Sequence, residues 1–172
     1  MKKITVTSNN QLRMTDIAGN LKFRCAIGRS GMIDAAKKRE GDGASPIGVW
    51  RLKQVFYRPD RLNEPETDLP VRALGQQMGW CDAPDDPNYN QLITRPYAAS
   101  HEALWRDDHV YDIIVELAHN DAPVVPYLGS AVFLHVARPD YKATQGCAAL
   151  ALDDLRTVLA KATPETYLEF RL

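Results

Sequence analysis

Short alternating and β-branched apolar runs dominate the hydrophobic pattern, separated by clusters of Gly, Pro, Asn and Asp. Residues 2–7 and 21–27 predict strands, with Asn9-Asn10 and Gly19-Asn20 as turn signals between them, so the chain opens as a β meander. Residues 28–48 are rich in Gly, Asp and Ser and end in Ser45-Pro46-Ile47-Gly48, which predicts a tight loop crossed by neither helix nor regular strand. Residues 49–57 regain strand character, with a slip of apolar phase between Leu52 and Val55 that a bulge would produce. Two polar stretches follow. Residues 58–70 are charged and contain three prolines, which predicts an exposed excursion; residues 79–90 predict a second long loop bordering a cleft. Residues 100–105 predict a short helix capped by Ser100. Residues 111–117 and 131–137 read as strands, the second entered through Gly129. Leu152, Leu155 and Leu159 then share one helical face, with Asp153 and Asp154 in the first turn. Thr163-Pro164 stops that helix, and residues 166–171 close the chain as a strand. The sum is a mainly β domain, a sandwich with one or two short helices.

At 172 residues the chain is expected to form one domain, 1–172, with a core that needs no metal or disulfide staple. Lys plus Arg number 21 against 22 Asp plus Glu, which leaves no field to favour nucleic acid, and Lys37-Lys38-Arg39 reads as a solvated turn. No stretch of 18 apolar residues predicts a membrane span. Lys2-Lys3 looks like the start of a signal peptide, but residues 4–11 lack its apolar segment, so no export signal is expected here. Cys25, Cys81 and Cys147 are odd in number and far apart, unlike zinc or dithiol motifs. Cys25 reads as a small buried hydrophobe and Cys81 as an incidental loop residue, and spacing gives a disulfide between them no support. His101-Glu102 does not open a zinc-protease motif, because Trp105 stands where its second histidine belongs. His101, His109 and His119 read as surface or hydrogen-bonded histidines. Trp80 and Tyr89 read as loop anchors, or as contacts for a glycan or peptide.

The chemistry gathers in residues 132–150. An apolar run delivers His135 at its end, a short polar loop follows, and Gly146-Cys147 opens another apolar segment. Singly, Cys147 would be a structural thiol and His135 a core histidine. Together they are what a thiol nucleophile needs, since free cysteine is mostly protonated at neutral pH and requires a base held by rigid backbone. Gly146 permits a tight turn, where its amide and that of Cys147 could form an oxyanion hole. The pair suggests acyl transfer, with a backbone carbonyl orienting the imidazole, because no acidic partner is evident from spacing.

Thr144-Gln-Gly146-Cys147, with His135 upstream, resembles the catalytic segment of the L,D-transpeptidase (YkuD-type) family of bacterial peptidoglycan enzymes. Residues 40–48 are similar to that family's Gly-rich turn near the active site, and residues 129–133 to the approach to its histidine; roughly residues 20–170 are covered. Two departures mark a divergent branch: Ala149 stands where the commonest form has Arg, and the His-to-Cys loop is short. The resemblance implies a YkuD-like sandwich, Cys147 as nucleophile and His135 as base. It also implies a peptidoglycan stem peptide as donor, cut after its third residue, usually a diamino acid, and an amine acceptor, without metal or organic cofactor. Arg138 is the candidate to meet a substrate carboxylate in place of the missing arginine, with Thr144 and Tyr89 as further substrate contacts. The family works in the periplasm or cell envelope; without a signal segment, a processed or truncated form, an unusual export route and a cytoplasmic protein stay open. A thiol hydrolase on the same peptides, and a non-catalytic muropeptide-binding module retaining the cysteine, are the other readings.

Overall fold

The long strand β5 (Ser45–Tyr57) belongs to both halves of a sandwich. Its first part pairs antiparallel with β13 (Thr166–Arg171), and its second part with β10 (Ile113–Leu117). Outside β13 lie β1 (Lys2–Thr7), parallel to it, then β2 (Gln11–Asp16) and β3 (Gly19–Arg24) in antiparallel meander. Outside β10 lie β11 (Phe133–Val136) and, parallel to β11, β12 (Ala148–Leu150). The short strands β4 (Met32–Asp34) and β6 (Val71–Ala73) flank β5, and a separate three-stranded sheet is made of β7 (Met78–Cys81), β8 (Leu92–Thr94) and β9 (His101–Ala103). This computed structural model describes residues 2–16 and 19–172. Among them, no helix is long and apolar enough to cross a membrane.

The main core lies between the two halves. Ile4, Val6, Met14, Leu168 and Phe170 meet Val115, Leu134, Val136 and Leu150, and the helix α1 (Leu152–Leu159) adds Leu155, Val158 and Leu159. Each such side chain contributes about 1.5–3 kcal/mol when withdrawn from water. The phase slip in β5 is real: Leu52 and Val55 oppose Leu117 and Val115, so β5 spends one residue more than β10 and keeps both side chains in this core. A second core covers the opposite face of the sheet. There Phe56, Ile114, Phe133 and Cys147 pack with Trp80, Leu104 and Tyr111, so β10 is buried on both faces.

Several local expectations are corrected. β2 was not foreseen, because it carries only Leu12 and Met14 as apolar residues; both are fully buried. Gly19-Asn20 begins β3, with Gly19 opposite Asp16. Ser45–Gly48, read as a turn, is strand: Pro46 lies opposite Ile33 of β4, and the Trp50 indole folds back over Gly48 to donate from Nε1 to the Pro46 carbonyl at 3.1 Å. Residues 100–105 do not form a helix, since pairing of Glu102 with Trp80 and of Ala103 with Gly79 draws them into β9. Cys81 ends β7 and is fully buried, so it is no loop residue. The excursion after β5 is pinned at its base, where the buried Arg58 guanidinium lies 3.8 Å over the Trp105 ring and grips Asp60.

Candidate active site

β11 and β12 run parallel with His135 beside Ala149, and the same register carried back sets Cys147 beside Phe133. His135 and Cys147 therefore project from the same face of neighbouring strands, as diagonal neighbours with Cα atoms about 8 Å apart from ideal strand geometry. Both open into one cleft of about 870 Å³. The loop joining them is anchored by backbone bridges to the segment that follows β3. Ala26 exchanges backbone hydrogen bonds with Ala149, Thr144 donates to the Ile27 carbonyl, and Arg29 donates to that of Thr144.

The imidazole is fixed by its own backbone. His135 Nδ1 lies 2.9 Å from the Val136 carbonyl, which can only accept, so Nδ1 carries the proton and Nε2 the lone pair. The Tyr111 ring packs edge-on against it, with centroids 5.4 Å apart. Burial holds the imidazole down at about pKa 4, so it is neutral at physiological pH, with the Nε2 lone pair unprotonated. The thiol of Cys147 donates to the Ala131 carbonyl at 3.2 Å and accepts from the Phe133 amide at 3.4 Å. Among the described residues these are its hydrogen-bond partners, and the imidazole is not one of them. Burial pushes the thiol up to about 12, a shift that the Glu102 carboxylate reinforces and the Phe133 amide and Lys38 oppose.

Ala131 is held for this contact. Its backbone is left-handed, with φ 52, and its amide donates to Asn90 Oδ1 at 3.0 Å. Asn90 is buried with four hydrogen bonds: Oδ1 also accepts from Trp80 Nε1, and Nδ2 donates to the carbonyls of His119 and Asn120. Nothing in the local sequence sets Asn90 apart from its neighbours in the loop of residues 79–90. Trp80 is the anchor expected. Tyr89 is an anchor as well and not a substrate contact: it is 2% exposed, its hydroxyl donates to Glu40 Oε2 at 2.5 Å and accepts from the Gly129 amide.

Thr144 lines the cleft, yet its hydroxyl is engaged in shaping the loop, donating to the Cys147 carbonyl at 2.7 Å and accepting from the Gly146 amide at 3.1 Å. The Gly146 amide expected at an oxyanion hole is thus turned into the loop. Gly146 itself has φ 138, and a side chain there would press on the Ala44 carbonyl. Arg138 lines the cleft, half exposed, and shares the Asp108 carboxylate with Arg106, at 3.0 and 2.7 Å. The two guanidiniums hold Asp108 down at about 2.

Three further cleft residues went unassigned. Lys38 was read with its neighbours as solvated; Lys37 and Arg39 are exposed, but Lys38 is 3% exposed. His101 and Glu102 carry no metal motif, yet both line the cleft, with His101 Nδ1 on the Ala99 carbonyl and Glu102 accepting the Tyr111 hydroxyl at 2.7 Å. His109 is exposed beside Asp112, whereas His119 is buried with Nδ1 unpaired, contrary to the expectation of a surface or bonded histidine. Cys25 is fully buried, as expected of a small hydrophobe.

The β-sandwich thus presents a cysteine and a backbone-oriented histidine from adjacent strands into one cleft. The chain belongs to the L,D-transpeptidase catalytic domain family (YkuD), which matches residues 2–168. No functionally curated protein matches the sequence. Among solved structures, the chain is similar to Mycobacterium tuberculosis L,D-transpeptidase 1, at 10% identity and TM-score 0.45, over 98% of this chain and 60% of that one. It is also similar to the helical cell shape determining protein Pgp2 of Campylobacter jejuni, solved as a point mutant, at 16% identity and TM-score 0.45, over 99% and 46%. The chain therefore spans less than two thirds of the length of either protein.

Proposed function

We propose that the protein is a cysteine-dependent L,D-transpeptidase acting on peptidoglycan stem peptides in the periplasm or cell envelope. The observation that carries this reading is the disposition of His135 and Cys147, on one face of adjacent strands at the same cleft, with the histidine tautomer set by Val136. Because burial disfavours both charged forms, the thiol rests protonated, and its proton passes to His135 Nε2 as the sulfur attacks the carbonyl carbon. The oxyanion develops against the Cys147 amide, the Gly146 amide being engaged by Thr144. Imidazolium then gives its proton to the departing amine as the carbon–nitrogen bond breaks, leaving a thioester on Cys147. An acceptor amine attacks the thioester, His135 takes its proton, the carbon–sulfur bond breaks, and the proton returns to sulfur. Arg138, beside the Asp108 carboxylate it shares with Arg106, meets the donor carboxylate, since two guanidiniums on one carboxylate leave positive charge facing the cleft.

The test is intact-mass measurement after incubation with a carbapenem, a β-lactam whose ring opens on a nucleophilic thiol. A single adduct mapping to Cys147 and lost in Cys147→Ala is expected. No adduct, or one that survives Cys147→Ala, overturns the reading. With a tetrapeptide donor and an amine acceptor, a joined product marks transfer, and tripeptide alone marks hydrolysis.

A further inference from the structure

A thiolate at Cys147 would face the Ala131 carbonyl that now accepts its proton, and the Glu102 carboxylate across the cleft. Something must offset this. Arg106 and Arg138 gather around Asp108, and one further cation, a buried one, lines the same cleft. Lys38 is 3% exposed and lines the cleft. Its ammonium is bonded to Asp42 Oδ1 at 2.5 Å and to the Arg39 carbonyl at 3.0 Å, which leaves the third of its N–H groups outside these bonds. Asp42 is not one of the residues lining the cleft, and its oxygens also accept the amides of Arg39 and Ala44. Two glycines make room for the stem. A Cβ on Gly129 would meet Lys38 Cε and Cγ at 3.2 Å, and a Cβ on Gly146 would lie 4.0 Å from Nζ. The lysine is therefore threaded past Gly129 to end beside the residue that precedes Cys147.

We infer that Lys38 is the electrostatic partner of Cys147: its buried ammonium, backed by Asp42 and admitted by Gly129 and Gly146, stabilises the sulfur anion at the floor of the cleft. A full charge in a water-poor site acts strongly over several ångströms. The effect of Lys38 on Cys147 runs in this direction, lowering the thiol against burial and Glu102. The charged and titratable groups around the pair are Glu102, Tyr111 and His135 on the cleft side of Cys147, and Asp42 and His119 beside Lys38. Lys38 is a positioning residue in this scheme, acting through charge.

The inference rests on Cys147 being the nucleophile, but its test needs no substrate. The rate of Cys147 alkylation by iodoacetamide, followed peptide by peptide, is measured against pH in the full chain for the unmodified protein, Lys38→Met and Asp42→Asn. Lys38→Met removes the cation and is expected to raise the midpoint by about one pH unit, slowing alkylation roughly tenfold at pH 8. Asp42→Asn frees the cation from its counter-charge and is expected to lower the midpoint. Opposite signs cannot come from a merely loosened loop. Shifts in the same direction, or no shift in either variant, overturn the inference. If Lys38→Met does not fold, Asp42→Asn decides alone: a lower midpoint supports the inference, and an unchanged or higher one refutes it. Opposite shifts without a carbapenem adduct would leave the inference standing and remove the transpeptidase reading.

Discussion

At the scale of single residues, the cleft is built from side chains whose hydrogen-bonding capacity is already committed. Thr144 spends its hydroxyl on the Cys147 carbonyl and the Gly146 amide, Asn90 uses all four of its bonds, and His135 Nδ1 is taken by Val136. Among the groups left for a ligand are His135 Nε2, the sulfur and the charged rim. Arg138 belongs to that rim: it is 46% exposed, and among the described residues its one ion pair is to a carboxylate that Arg106 also holds. Removing it should therefore weaken donor binding without disturbing the nucleophile. Arg138→Ala is expected to raise the KM for a carboxylate-bearing donor roughly tenfold, as for a lost charge-assisted hydrogen bond, while kcat changes little. Steady-state kinetics against donor concentration checks this. A fall in kcat at unchanged KM, or no change in either, would show that Arg138 does not read the carboxylate.

At the scale of elements, the position of Cys147 depends on strands far from it in sequence. The segment after β3 laces residues 26–29 to residues 144–149, and Gly28 sits where this lacing passes the β5 approach. A Cβ at Gly28 would collide with the backbone of Gly43 and Ser45, neither of which can rotate away. Gly28→Ala is thus expected to cost about 2–4 kcal/mol in urea denaturation and to slow acylation of Cys147. Unchanged stability with unchanged acylation would mean the lacing does not hold the site. The same dependence explains what could be read in the sequence and what could not. His135 and Cys147 stood out because each is the one reactive side chain at the edge of an apolar strand, and β13, α1 and the slip between Leu52 and Val55 follow local periodicity. Lys38 was hidden because its burial is made by Gly129 and Gly146, about a hundred residues away. β9 was read as helix because its structure comes from Trp80 and Gly79 across the sheet, and Ser45–Gly48 was read as turn because the Trp50 indole that covers Gly48 leaves no local signature.

At the scale of the whole molecule, a site built from buried neutral groups ties stability to pH. His119 and His135 are both buried, and burial holds each down at about 4, with Lys38 adding to the effect on His119. In the unfolded chain a histidine titrates near 6.5. Above about pH 6.5 both states are neutral, and these residues contribute no pH dependence. As the pH falls below 6.5 the unfolded chain binds protons that the folded protein refuses, so stability drops until the folded histidines protonate near pH 4. Each histidine removes up to about 1.4 kcal/mol per pH unit across that window. Glu102, pushed up by burial, works in the opposite sense over part of it, whereas Asp42 and Asp108, held down by Lys38 and Arg106, cost stability only at lower pH. Urea denaturation at pH 7 and pH 5 should therefore show the protein losing a few kcal/mol on acidification. His119→Phe, which keeps an aromatic ring against Trp50 and removes one buried base, should retain about half of that loss. A His119→Phe protein with the same pH dependence as the parent would show that the unpaired imidazole already protonates inside the fold, and would shift the acid sensitivity onto the carboxylates.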